Sequence, residues 1–456
     1  MMRAAILACV PFVMVAACST DATQSCPAPD AASDVPAGDL GPSDVVTVTD
    51  AGVDAADAPS LPDVPMGADV VDVPVGADVV DGGGDVVDVP EPLAPINAVA
   101  AGTVHTCVLR GGRVFCWGDN TNGQLGVPTI TRSLTPVEVP GIRDAVEVSA
   151  DGNASCVRRL DGSVTCWGQS IAGQLGPSVP IGRDRVGPTA IPGIRDAVSI
   201  SLGSGYTCAI RAGGTISCWG SNRNHQLGNG MGGGMAETAT PVQVSGLDHA
   251  VFLAAGQFSC AVRDDGKVFC WGLNFAGETA SATSPTPTPF EVPGVSNAVH
   301  AGVGSGFGCA VVQSGQVYCW GDNRLGQLGD RARGLRQPPA PVPGVTDATR
   351  VAVGWTSACA LRRNGAVQCW GQGDHGELGA GMLMQSSATP VDVTGLTEVV
   401  QLTGFAPVND VHANHRCALR RGEADRLWCW GYNSEGQLGD GTMTDRAAPV
   451  RATAVP

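Results

Sequence analysis

Lysine is almost absent from this chain: Lys267 is its one copy in 456 residues, and only 15% of residues are charged. Against 43 acidic residues stand 27 basic ones, a net charge of -16. Duplex nucleic acid is held mainly by Lys and Arg neutralising phosphates, so this balance argues against a nucleic-acid partner. Long apolar runs are missing too. The longest, residues 4–17, falls short of the roughly 20 residues that a spanning helix needs, which excludes a conventional transmembrane helix. Helical periodicity is missing from the repeating part of the chain, and catalytic signatures are missing from all of it. There is no His-Glu-x-x-His, no Gly-x-Ser-x-Gly and no phosphate loop. The length itself excludes a miniature scaffold held by disulfides alone.

What is present begins with an export signal. Met1-Met2-Arg3 is a short positive region, residues 4–14 are apolar, and Val15-Ala16-Ala17 places small residues before Cys18. This pattern predicts a bacterial lipoprotein signal over residues 1–17, with lipid on Cys18. Ser19 in place of Asp after that cysteine points to the outer membrane or cell surface. Residues 18–92 form a second zone: positions 19–92 hold 15 Asp, one Glu and no Lys or Arg, among Pro, Gly, Ala and Val. Low complexity and unopposed like charge prevent a packed core, so this zone reads as an extended tether. Without it and Arg3, residues 93–456 carry 26 basic and 27 acidic residues, a net of -1.

From residue 93 the chain repeats itself. Cys-Trp-Gly recurs seven times, at Trp117, Trp167, Trp219, Trp271, Trp320, Trp370 and Trp430, with spacings of 50, 52, 52, 49, 50 and 60 residues. A fixed period of this size means a solenoid or a propeller. Each unit reads as four short strands: an alternating stretch such as residues 145–149, a second beginning at a cysteine, a third ending in Cys-Trp-Gly, and a fourth of the form Pro-Val-x-Val, as at residues 136–139, 241–244, 390–393 and, in variant form, 449–452.

The cysteines test the hairpin between the second and third strands. Cys156 and Cys166, Cys208 and Cys218, Cys260 and Cys270, Cys309 and Cys319, and Cys359 and Cys369 are each ten apart. If each pair faces across a hairpin, the loop has three central residues, and in all five units the third is glycine: Gly162, Gly214, Gly266, Gly315 and Gly365. A three-residue hairpin needs its left-handed residue there. Cys107 and Cys116 are nine apart, which demands a two-residue turn, and the centre is Gly111-Gly112. Cys417 and Cys429 are twelve apart around a longer loop near Glu423. Facing cysteines in an exported chain predict seven disulfides, one per unit. Cys26 has no evident partner.

The pattern Cys-Ala-Leu, Asp-Gly-x-Val, Cys-Trp-Gly-x-Asn and Gly-Gln-Leu-Gly resembles the regulator of chromosome condensation repeat family. That resemblance covers residues 93–456 and implies an all-β, seven-bladed β-propeller of four-stranded antiparallel blades. Gly-Gln-Leu-Gly stands at residues 123–126, 173–176, 326–329 and 436–439, is altered at 225–228 and 376–379, and degenerates to Gly277-Glu278-Thr279-Ala280 in the fourth unit. Whether the last strand, near residues 449–452, completes the first blade or stays in its own unit is open at this level.

Function must be argued from a site rather than from a fold. The recurring motifs are blade architecture; a partner would bind where units differ. The seventh unit carries an insertion over residues 404–416, with Asp410, His412 and His415, which reads as an exposed loop and a candidate binding element, not a metal site. Residues 229–240 and 380–388 form two further long loops, rich in Gly, Met and Ser. The expectation is a non-enzymatic, cofactor-free surface lipoprotein whose propeller binds a protein or glycan. Its lipid anchor would be its one contact with membrane. Guanine-nucleotide exchange, implied by the resemblance, and carbohydrate-active catalysis are the alternatives.

Overall fold

In the computed structural model, described over residues 94–232, 237–404, 414–422 and 427–456, the repeats become blades. The described residues form seven four-stranded antiparallel sheets with strands in sequence order. Blade 1 comprises Ile96–Ala101, His105–Arg110, Arg113–Asp119 and Arg132–Glu138. The first strands of all seven blades line one cavity, of about 220 Å3, on the axis of the ring. Strand order and antiparallel pairing then fix the two faces. Turns from first to second strand and loops from third to fourth emerge on one side, here termed the long-loop face. Second-to-third hairpins and blade-to-blade links emerge on the other, the hairpin face.

The hairpin arithmetic is met residue by residue. Cys107 faces Cys116, and Cys156 faces Cys166, with the same register in the remaining five blades, including Cys417 opposite Cys429. All seven pairs are disulfide-bonded, with Cα–Cα distances of 4.0–4.1 Å. Gly111 and Gly112 both take positive φ, 53° and 76°, as a two-residue turn of mirror type requires. The loop near Glu423 lies outside the described residues.

The strand boundaries correct two expectations. The second strand begins two residues before its cysteine, as in Ser357–Arg362, because its ladder to the third strand starts at Ser357 and that to the first strand at Ala358. The fourth strand begins earlier than its proline motif, at Arg132, Glu237, Ser386 and Arg446. It is the outer edge of each blade, so a proline costs no ladder bond on the open side.

Each unit is its own blade: the last strand, Arg446–Arg451, pairs with the third strand of blade 7, Leu427–Gly431. Among the described residues no strand is exchanged to close the ring. The seam is closed by side chains instead. Thr106 Oγ1 donates to the carbonyl of Gln437, Gln401 Nε2 to that of Val99, and the Arg110 guanidinium to that of Val455.

The hydrophobic cores lie between blades rather than within them. One cluster joins Phe307, Val317 and Leu328 of blade 5 to Val351, Ala358 and Trp370 of blade 6. Another joins Leu427 and Leu438 of blade 7 to Val99, Val108 and Trp117 of blade 1. All seven repeat tryptophans are fully buried in this way.

Mass spectrometry after alkylation checks the bridges. Denatured without reductant, the chain is expected to leave its fourteen ring cysteines unlabelled. Fourteen labelled ring thiols before reduction would overturn the pairing.

Candidate functional site on the long-loop face

The Gly-Gln-Leu-Gly turn shows how the long loops are held. In blade 1 the Gln124 side-chain oxygen accepts from the amide of Asn122, 3.0 Å away, closing the turn on itself. Its backbone carbonyl is left pointing at the next blade, where Trp167 Nε1 donates to it at 2.9 Å. The same pair recurs around the circle: Trp219 to Gln174, Trp271 to Gln226, Trp320 to Glu278, Trp370 to Gln327, Trp430 to Glu377, and Trp117 to Gln437 across the seam. The asparagine of Cys-Trp-Gly-x-Asn serves the same turn. Asn120 Oδ1 accepts from the Leu125 amide, and its amide group donates to the carbonyls of Val127 and Ile130.

Because the inter-blade acceptor is backbone, Glu replaces Gln at two positions with the turn intact. Glu278 Oε2 and Glu377 Oε2 accept from the amides of Ala276 and His375. The cost appears in protonation. Burial raises both carboxyls above the ordinary range, Glu377 to about 7.

Blade 7 departs from the pattern before its second strand. His415, expected in an exposed loop, is instead the first residue of His415–Arg420 and is 1% exposed. Its Nε2 lies 2.8 Å from Thr106 Oγ1. That hydroxyl gives its proton to Gln437, so the imidazole must donate, and His415 is a neutral part of the seam. Burial holds its pKa near 3. Asp410 and His412 lie outside the described residues. Among the described residues no cluster of three His, Cys, Asp or Glu side chains is placed to hold a metal ion.

Arg416 follows in the strand and is fully buried. The six other blades carry Thr106, Ser155, Thr207, Ser259, Gly308 and Ala358 at this position before the cysteine. Its Nη1 donates to Asn414 Oδ1 at 2.8 Å and its Nη2 to the Ser357 carbonyl and hydroxyl, each at 2.9 Å. Burial lowers its pKa to about 10, which leaves it charged at neutral pH. Sequence reading placed this residue in a loop and so missed its role as a buried cation.

Unit-specific features converge on this face. Gly404 and Asn414, which flank the blade 7 insertion, and the described residues of the loops before Glu237 and Ser386 lie on this side. Exposed apolar side chains accompany them: Met231, Phe275, Met382 and Leu383 are each 65–71% exposed. A cleft of about 370 Å3 opens on the same face among turns of blades 1, 2 and 3. The hairpin face has its own apolar ring: Val146, Val198, Val251, Val299 and Val400, all exposed, sit at the register slip that opens each inner strand.

A seven-bladed ring with this turn and tryptophan pairing defines a propeller class, and the comparisons name it. Residues 82–406 match the RCC1-like domain and residues 424–456 the regulator of chromosome condensation (RCC1) repeat. The chain belongs to the RCC1-like domain family. It is 28% identical over 209 residues to the mitochondrial RCC1 domain-containing protein RUG3 of Arabidopsis thaliana, covering 43% of this chain and 47% of that protein. The chain thus spans about half the length or less of the curated relatives it matches. Among solved structures, human WBSCR16 superposes with a TM-score of 0.64 at 22% identity, over 72% of this chain and 88% of that one. Prp20p of Saccharomyces cerevisiae superposes with a TM-score of 0.60 at 22% identity, over 68% and 80%.

The Glu377 carboxyl gives a pH signature. Its pKa in the fold lies above the unfolded value, so its contribution to stability is intact at acid pH and is lost as pH rises toward 7. Glu377→Gln keeps the oxygen that closes the turn and removes the titration. The melting temperature of the variant relative to wild type should therefore rise between pH 5 and pH 8, by the equivalent of about 2–3 kcal/mol. A difference that stays flat with pH refutes the assignment.

Proposed function

We propose that this chain is a non-enzymatic binding module: a propeller that takes a protein partner on its long-loop face and is held at a bacterial cell surface by lipid on Cys18. The observation that carries the reading is the convergence of the chain's departures from its own repeat on one face. The repeated residues are consumed by architecture, with tryptophan, glutamine and asparagine all hydrogen-bonded inside the ring. What varies from blade to blade is free for recognition, and loops on a rigid scaffold are where binding residues concentrate. Exposed Met, Phe and Leu on those loops suit a partner's apolar surface. Prp20p, described with binding properties to Gsp1p and histones, supports a protein over a glycan as the class of partner. The lipobox and the acidic tether support display at a distance from the membrane; both lie outside the described residues.

Two experiments test the two halves of this reading. With full-length chain as bait in surface extract, Phe275→Ser combined with Met382→Ser and Leu383→Ser should abolish capture of the partner, while Leu160→Ser on the hairpin face leaves it unchanged. The reverse pattern overturns the choice of face. Palmitate labelling should be lost in Cys18→Ser; labelling that persists refutes the anchor.

A further inference from the structure

Five blades place glycine where the inner strand turns toward the second strand: Gly102, Gly203, Gly256, Gly304 and Gly354; the corresponding residue of blade 7, Phe405, lies outside the described residues. Blade 2 alone has an acid there, Asp151. The reason for glycine in most blades is a side chain lying across it. A Cβ on Gly102 would meet the His105 ring at 2.1 Å, one on Gly203 the Tyr206 ring at 2.3 Å, and one on Gly304 the Phe307 ring at 2.5 Å. These large residues open the second strand. In blade 2 that residue is Ala154, so the ring is gone. The cleft of about 370 Å3 lies there, lined by Asp151, Ala154, Asn153, Gln169, Ile171 and Leu202 among others.

Asp151 lies at this cleft, 3% exposed, and its Oδ1 has no hydrogen-bond partner among the described residues. A buried carboxyl without a partner is costly, and the structures that keep one give it a proton or a cation. Blade 6 shows what the fold accepts at the same level. There the second strand also opens on a small residue, Ser357, and the vacated space over Gly354 is filled by a guanidinium: a Cβ on that glycine would meet Arg416 Nη1 at 2.4 Å and Nη2 at 2.5 Å. Blade 6 fills its gap with an arginine from blade 7. Blade 2 has the gap, an acid in it, and no arginine.

We infer that the blade 2 cleft is a binding site for a guanidinium or ammonium group on an aliphatic stem, with the cation at Asp151 and the stem along Ile171, Leu202 and Ala154. Long cationic side chains bury their methylenes on apolar surface in this way. The side-chain amides of Asn153 and Gln169, joined to each other at 3.3 Å, stand at the site to accept or donate further hydrogen bonds. Guanidinium is the better fit, since its planar fork can engage a carboxylate and an amide oxygen together. The inference rests on the binding reading above and deepens it: the partner's contact in this cleft is an arginine or lysine side chain.

Proton release distinguishes this ligand class from a neutral one. Burial raises the Asp151 carboxyl well above its ordinary range, and a cation beside it favours the charged form, so cation binding is coupled to proton release from this carboxyl. The titratable side chain facing it is Tyr206, whose phenol burial raises away from neutrality; the turn of blade 1 contributes Thr103 and Val104, and the loop of blade 2 contributes Gln169, Ile171 and Gln174, none of which titrates.

Calorimetry of the full-length chain at pH 7, in two buffers of different ionisation enthalpy, tests the site. The probes are agmatine, acetyl-Gly-Arg-Gly-amide and maltotriose. Agmatine and the arginine peptide should bind with proton release, and the neutral sugar should not. A peptide that binds more tightly than agmatine assigns the cleft to a protein side chain; the reverse order assigns it to free amines and overturns the partner contact. Asp151→Asn should weaken the cations by at least about tenfold. A second variant guards against misfolding: Asp151→Gly with Ala154→Phe rebuilds the arrangement of blade 5 and should lose binding to the same degree. Cation binding that is absent from wild type, or unchanged in both variants, overturns the inference, as does maltotriose binding that the variants abolish. Partner capture in the bait experiment is scored separately. Capture that both Asp151 variants retain rejects the cleft and leaves the binding reading standing, whereas loss of long-loop-face capture in wild type rejects that reading itself.

Discussion

One hydrogen bond, made seven times, organises this ring. The indole Nε1 of each repeat tryptophan donates to the glutamine or glutamate carbonyl of the blade before it, at 2.7–2.9 Å. An isolated four-stranded sheet cannot bury both its faces, so the cores must form between neighbours, and a large side chain crossing the gap needs a partner for its one polar atom. The bond ties position along the strand to position around the ring. It also explains why the loop that follows Cys-Trp-Gly is so constrained: each turn must present a bare carbonyl outward while satisfying its own amides from within. The bond from Trp117 to Gln437 does this across the seam, where among the described residues no shared strand joins the first blade to the last.

Much of the architecture was legible in the sequence because it depends on short-range rules. Cysteine spacing and the position of glycine are linked by hairpin parity, and nothing distant can alter that count. The degenerate motif around Glu278 keeps its place for a similar reason: the ring uses its backbone, so the side chain is free to vary as long as one oxygen remains to close the turn. The beginnings of the fourth strands were less legible. Prolines such as Pro136 and Pro241 mark turns when read in isolation, and an open edge is a property of three-dimensional position.

The candidate sites divide along the same line. His415 reads as part of an exposed binding loop because it falls within an insertion, yet it is consumed by the seam through Thr106. Asp151 carried a usable signal that required aligning the units against one another: it is the acid in a column of glycines. Its meaning depends on Ala154 three residues later, and the emptiness that the pair creates is visible only once the rings of His105, Tyr206 and Phe307 are seen filling the corresponding spaces. Arg416 is the counterpart, a cation borrowed from the next blade, and no pattern within one unit announces a loan across a blade boundary.

The disulfides have a further consequence through their order along the chain. Each bridge joins two cysteines that are consecutive in the ring, at separations of 9 to 12 residues. Such small loops constrain the unfolded chain by roughly 2.5–3 kcal/mol each in the chain-entropy account. Their larger effect is on mispairing. When the chain is made from its N-terminus, the second cysteine of each hairpin meets its native partner as the cysteine that emerged just before it. Fourteen thiols that could otherwise compete thus have native pairings that are seven separate local choices. The spacing that sets the register of a blade is thus also what lets a cysteine-rich ring oxidise without long-range search.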